Sequence, residues 1–150
     1  MKKIFSVLLL MFIATMSFAQ VKDPVQWSFA AKKTGANTYE VILTATLPKP
    51  WHIYSTTTGK GGPIPTKVTI KRNPLVSVVG GIKEVGKLES QYDENFETTV
   101  KYFSNKVEFV QVVTVKGKSK TNLSGTVEYM TCDDSRCLPP TTKSFELKLI

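Results

Sequence analysis

The spacing of apolar residues restricts this chain to β-structure. From Tyr39 to Leu47, the residues Tyr39, Val41, Leu43, Ala45 and Leu47 alternate with Glu40, Ile42, Thr44 and Thr46. A period of two puts the first five on one face of an extended strand. No segment after the N-terminal stretch sustains the 3.6-residue apolar period of a helix. Short β-branched and aromatic runs recur instead between Gly, Pro, Asn and Lys turns, at 25–31, 39–47, 51–57, 67–72, 75–79, 98–103, 107–115, 123–132 and 144–150. Such a series without helices predicts an all-β sandwich or barrel. Two distant cysteines bracketing a tryptophan, the signature of antibody-type sandwiches, are missing.

Pro48 and Pro50 should end the second strand, because proline cannot continue a ladder. Trp51 and Ile53 then face the core, and His52, the chain's one histidine, shares the opposite face with Tyr54. His52 reads either as an ordinary hydrogen-bonded surface histidine or as a titrating group in a site. Gly61-Gly62-Pro63-Ile64-Pro65 and Gly80-Gly81 read as turns, and Lys116–Lys120 as a solvated hairpin turn. The segment Lys87–Phe96, KLESQYDENF, reads as a polar, acidic loop carrying Tyr92 and Phe96, of the kind that often carries function.

The N-terminus has a different character. Lys2 and Lys3 precede an apolar run from Ile4 to about Ala14, and Ser17-Phe18-Ala19 supplies small residues at the −3 and −1 positions of a cleavage site. This is the pattern of a secretory signal peptide cleaved after Ala19, leaving residues 20–150 as one domain. The apolar run is shorter than the roughly 20 residues that span a bilayer. Export places the chain where a disulfide persists. With 20 Lys and Arg against 12 Asp and Glu the chain is basic, but its lysines are scattered. Together with export and the absence of a recognition motif, this speaks against nucleic acid as a partner.

The two cysteines, Cys132 and Cys137, lie in EYMTCDDSRCLPP, where β-prone residues run into Cys132 and four polar residues separate it from Cys137. That is a β-hairpin with a four-residue loop. Cysteines facing each other in its non-hydrogen-bonded pair would have Cα atoms about 4.5 Å apart, at the lower edge of what a disulfide spans. A staple closing so short a loop removes only about 2 kcal/mol of unfolded-chain entropy. A short, partly exposed disulfide is instead of the labile, exchange-active kind. Arg136 beside Cys137 should favour a thiolate there, whereas Asp133 and Asp134 should oppose one at Cys132. Cys137 is therefore the expected attacking sulfur and Cys132 the resolving one.

The run CDDSRCLPP, together with Trp51–Ser55 (WHIYS) and Gly62–Thr66 (GPIPT), resembles the N-terminal periplasmic domain of the thiol:disulfide interchange protein DsbD and related stand-alone disulfide-bond-corrector domains. The resemblance spans roughly residues 25–150. The best-known member has five residues between its cysteines, where this chain has four. The resemblance implies an immunoglobulin-like β-sandwich and a periplasmic location. It also implies electrons arriving from a membrane-embedded thiol transporter and leaving to thioredoxin-like proteins. It places polar aromatics, here His52 and Tyr54, near the cysteines, and a loop aromatic over the disulfide, with Tyr92 as first candidate and Phe96 as second.

Other chemistries are poorly served. Cys132, Cys137 and His52 with Asp133 or Asp134 could ligate copper or zinc, but the cysteine spacing is not a familiar zinc spacing. No nucleophile elbow, phosphate loop or metalloprotease helix occurs, and no cofactor is called for. The reading is an exported thiol–disulfide exchange protein. The alternative, from another class, is a non-catalytic β-sandwich binding module whose disulfide pins a recognition hairpin.

Overall fold

The β-prone runs of the described residues find their partners in two antiparallel sheets. The computed structural model describes residues 23–59, 61–94, 96–117 and 120–150. The strands, in chain order, are β1 (Gln26–Lys33), β2 (Thr38–Thr46), β3 (His52–Tyr54), β4 (Lys67–Ile70), β5 (Val76–Asp93), β6 (Thr98–Val115), β7 (Thr121–Tyr129), β8 (Thr131–Cys132) and β9 (Thr141–Leu149). One sheet runs β1-β2-β6-β3-β8 with β5 also on β6, and the other runs β4-β7-β9. β6 is long enough to hold β5 along one edge and, along the other, β2 followed by β3.

The segment expected to be a signal peptide, residues 1–19, lies outside the described residues. The expected face of β2 is the observed one: Tyr39, Val41, Leu43, Ala45 and Leu47 are all buried. They meet Val107, Phe109 and Val113 of β6, and Leu123, Val127, Phe145 and Leu149 of the second sheet. Fully burying an aliphatic or aromatic side chain of this kind contributes about 1.5–3 kcal/mol, so these inner faces hold the sandwich together.

The longest strands depart from the sequence expectation. The runs 98–103 and 107–115 are a single strand, because Asn105 takes a positive φ of 65° and the ladder continues past it. Gly80-Gly81 is not a turn. Gly80, at φ 66°, lets β5 slip register between Val79 and Lys83 and go on pairing as far as Asp93. The buried Gln111 donates from Nε2 to the Val79 carbonyl, 3.0 Å away, at this irregularity. Most of the expected loop at Lys87–Phe96 is therefore strand. The Lys116–Lys120 segment joins the two sheets instead of closing a hairpin, and its residues 118–119 lie outside those described.

The run 123–132 breaks at Met130. Tyr129 ends β7 in one sheet, and Thr131 begins β8 in the other, opposite Ile53. This change of sheet carries Cys132 to the edge of the larger sheet.

Candidate functional site

Cys132 sits directly across from His52 on β3, and His52 across from Ser104 on β6; two residues along, Tyr54 faces Tyr102. Alternation sends Ile53 and Phe103 into the main core and turns His52, Tyr54, Tyr102 and Cys132 to the other face. There Tyr54, Val100 and Cys132 form a second, smaller buried cluster, flanked by Tyr102 and Met130. The short apolar segment HIY thus serves two cores at once.

Cys132 and Cys137 are joined by a disulfide with Cα atoms 4.0 Å apart. The Leu138 N–H donates to the Thr131 carbonyl (2.8 Å) and the Asp133 N–H to the Arg136 carbonyl (2.9 Å). These bonds flank the cysteines, which form the non-hydrogen-bonded pair that the spacing predicts. The two halves differ in access. Cys132 is 2% exposed, whereas Cys137 is exposed to solvent.

The four-residue loop is organised by Asp133, whose Oδ1 accepts from the Ser135 N–H, the Ser135 hydroxyl and the Arg136 N–H, each at 2.8 Å. These bonds favour the charged form and hold the Asp133 carboxyl below its usual range. Beside the disulfide-bonded pair, Arg136 has two neighbours. Its Nε lies 3.8 Å from Asp133 and its guanidinium 5.9 Å from the centre of the Trp51 ring.

His52 lies 3.3 Å from the Tyr54 hydroxyl through Nε2, and its ring centre is 4.8 Å from that of Tyr102. Burial lowers its proton affinity below the ordinary histidine value, outweighing the opposing pull of Asp134, Asp133 and Asp93. Burial also pushes the Tyr54 hydroxyl up to about 12, with Asp93 adding to the effect. The ring system beside the disulfide is therefore neutral near pH 7.

The tip of the β5–β6 hairpin overhangs this face. With the disulfide loop and β3 it encloses an open depression of about 670 Å³, lined by both cysteines, His52, Tyr54, Tyr102, Tyr92 and Phe96 among others. The six positions expected near the site, Cys132, Cys137, His52, Tyr54, Tyr92 and Arg136, all line it. Tyr92, however, is 59% exposed and pairs with Thr99. Alternation directs it away from the face shared by Gln91 and Val100. Phe96, at the turn, is half-buried. Tyr102, Val100 and Ser104 were missed from sequence. Their alternation within 98–104 was visible, but nothing local said that this end of β6 pairs with β3. Among the described residues no group of three or more His, Cys, Asp or Glu side chains is disposed to hold a metal ion. None of their helices is long and apolar enough to cross a membrane.

Fold and site together define an immunoglobulin-like β-sandwich with an accessible disulfide hairpin at the junction of its sheets. Residues 18–149 match the family described as thiol:disulfide interchange protein DsbD, N-terminal, and the chain belongs to that family. Among solved structures, it is similar to the N-terminal periplasmic domain of ScsB from Proteus mirabilis, with a TM-score of 0.62 and 19% identity over 85% of this chain and 47% of that one. It thus spans about half the length of that relative. It is also similar to the DsbD N-terminal domain of Neisseria meningitidis in the reduced form, with a TM-score of 0.56 and 11% identity over 82% of this chain and 83% of that one. A third similar structure is the complex between the DsbD N-terminal and PilB N-terminal domains from Neisseria meningitidis, with a TM-score of 0.54 and 12% identity over 85% of this chain and 87% of that one. These likenesses carry the fold. No curated protein matches the chain.

Proposed function

We propose that the chain is a periplasmic thiol–disulfide exchange protein, exported by a signal peptide cleaved after Ala19, and that Cys132 and Cys137 are its redox pair. The observation that carries this reading is the unequal exposure of the two sulfur-bearing residues beside an open depression, in a chain of the DsbD N-terminal family.

In the reducing half-cycle a donor thiolate attacks Sγ of Cys137. The Cys132–Cys137 bond breaks, and Cys132 leaves as a thiolate that takes up a proton. The donor's second thiolate then attacks the donor sulfur of the mixed disulfide, releasing Cys137 as a thiolate that takes up the second proton. Two electrons and two protons have passed to this chain, and the donor is a disulfide. In the second half-cycle Cys137, having lost its proton, attacks an acceptor disulfide as a thiolate, Cys132 gives up its proton and resolves the adduct by attacking Sγ of Cys137, and the acceptor leaves as a dithiol with both protons. A membrane-embedded thiol transporter is the proposed donor and thioredoxin-like proteins the proposed acceptors. The Neisseria complex with a PilB domain supports the latter.

Within the site, neutral His52 is suited to accept or return the proton of a cysteine, not to pair with a thiolate as a cation. We assign the covering ring to Phe96 ahead of Tyr92, because the register of β5 turns Tyr92 to the other face.

The test is equilibration with glutathione. An exchange-active pair lies well above about −300 mV, the region below which structural disulfides fall. A potential beneath that bound would leave the hairpin as a pin for a binding surface. A Cys132→Ala variant should trap thioredoxin-like proteins through Cys137.

A further inference from the structure

The chain is strongly basic, yet the depression around its disulfide is acidic. Four of the 12 Asp and Glu residues line it, Asp93 and Glu94 from the hairpin tip and Asp133 and Asp134 from the disulfide loop. Among its described lining residues Arg136 is the sole Lys or Arg, and its guanidinium lies against Asp133 and Trp51. Four of the scattered lysines lie at the far end of the sandwich. Lys33 ends β1, paired with Tyr39, Lys116 follows β6, Lys120 precedes β7, and Lys148 lies near the end of β9. The register places all four at the opposite end of the sandwich, where the Val115 N–H bonds the Asn37 carbonyl and Thr121 pairs with Leu149.

Two segments far apart in sequence thus supply negative charge to the same rim. Glu94 and Asp134 are exposed there. Charge of one sign around a cleft focuses the field and changes encounter rates by 10–10³-fold, in a way that salt suppresses.

Resting on the exchange reading above, we propose that this acidic rim selects the partner: the depression takes dithiol or disulfide proteins whose active-site surround is positively charged, and disfavours those with an acidic surround. Charge acts here on the encounter, and the sulfur chemistry at Cys137 is unchanged. A partner's Lys or Arg side chains would meet Glu94 and Asp134 as its reactive sulfur reaches the exposed Cys137.

The experiment uses two synthetic Cys-x-x-Cys dithiol peptides that differ only in flanking Lys or Glu residues, with uncharged dithiothreitol as a reference reductant. The second-order rate of reduction of the Cys132–Cys137 disulfide is measured at low and at high salt. The Lys-flanked peptide should react about tenfold or more faster at low salt, and the two rates should converge at high salt. A Glu94→Gln/Asp134→Asn double variant should bring their ratio close to one. The ratio is its own control, because a folding defect changes both rates together. Equal rates for the two peptides at low salt, or a preference that survives in the variant, would overturn the inference. If charge has no effect while dithiothreitol reduces the disulfide readily, the exchange reading stands and the partner assignment alone falls. If none of the three reagents reduces it, both fall.

Discussion

His52 is the residue whose chemistry depends most on its setting. Burial disfavours its protonated form, so the folded protein binds this proton less readily than the unfolded chain, whose histidine titrates near 6.5. Stability is then complete above that value and is lost as pH falls from it towards the depressed folded value. A thermal-unfolding series from pH 8 to 5 should show this loss in the wild type and a smaller one in His52→Phe; parallel curves would refute it. The variant should also alter the pH profile of thiol reactivity. Phe96 invites a kinetic test. Phe96→Ala should speed reduction of the disulfide by a small dithiol several-fold, whereas Tyr92→Ala, altering a side chain directed to the other face, should leave the rate close to wild type.

At the level of the strand, the legible elements are those whose partners lie on both sides and whose pattern is unbroken. β2 is the clearest case, since its alternation alone predicted every buried position. The parity of Trp51–Tyr54 was equally readable, because two prolines mark where β3 starts. β5 and β6 were misread for a physical reason. Gly80-Gly81 and Asn105 carry the local chemistry of turns, and only pairing along a shared ladder turns them into irregularities within strands. The break at Met130 was invisible too, because β7 and β8 continue one apolar run and differ only in which sheet receives them. Gly125 shows how closely β4, β7 and β9 pack. A Cβ there would lie 2.5 Å from the Thr69 carbonyl oxygen and 2.6 Å from Cζ of Phe145. Gly125→Ala should therefore cost about 1–3 kcal/mol through overpacking, read as a lower urea midpoint with an unchanged slope.

For the molecule as a whole, the site was legible in its sulfurs and not in its surroundings. Cysteine spacing predicted the bridged, non-hydrogen-bonded pair, whereas the acidic rim and the ring cluster arise from segments up to 82 positions apart (His52 to Asp134), brought together by sheet order. The disulfide itself lies outside the main core. Removing it with Cys132→Ala/Cys137→Ala should cost about 2 kcal/mol and leave a cooperatively unfolding sandwich. Loss of the cooperative transition would mean that the hairpin is structural to the whole.

The unequal depth of the two cysteines has one last consequence. If a visitor can grip only the outer one, every covalent adduct hangs from the same atom, in the same orientation, one guest at a time. The chain then works as a turnstile with a single arm, and queues of competing clients are sorted by who arrives well aligned.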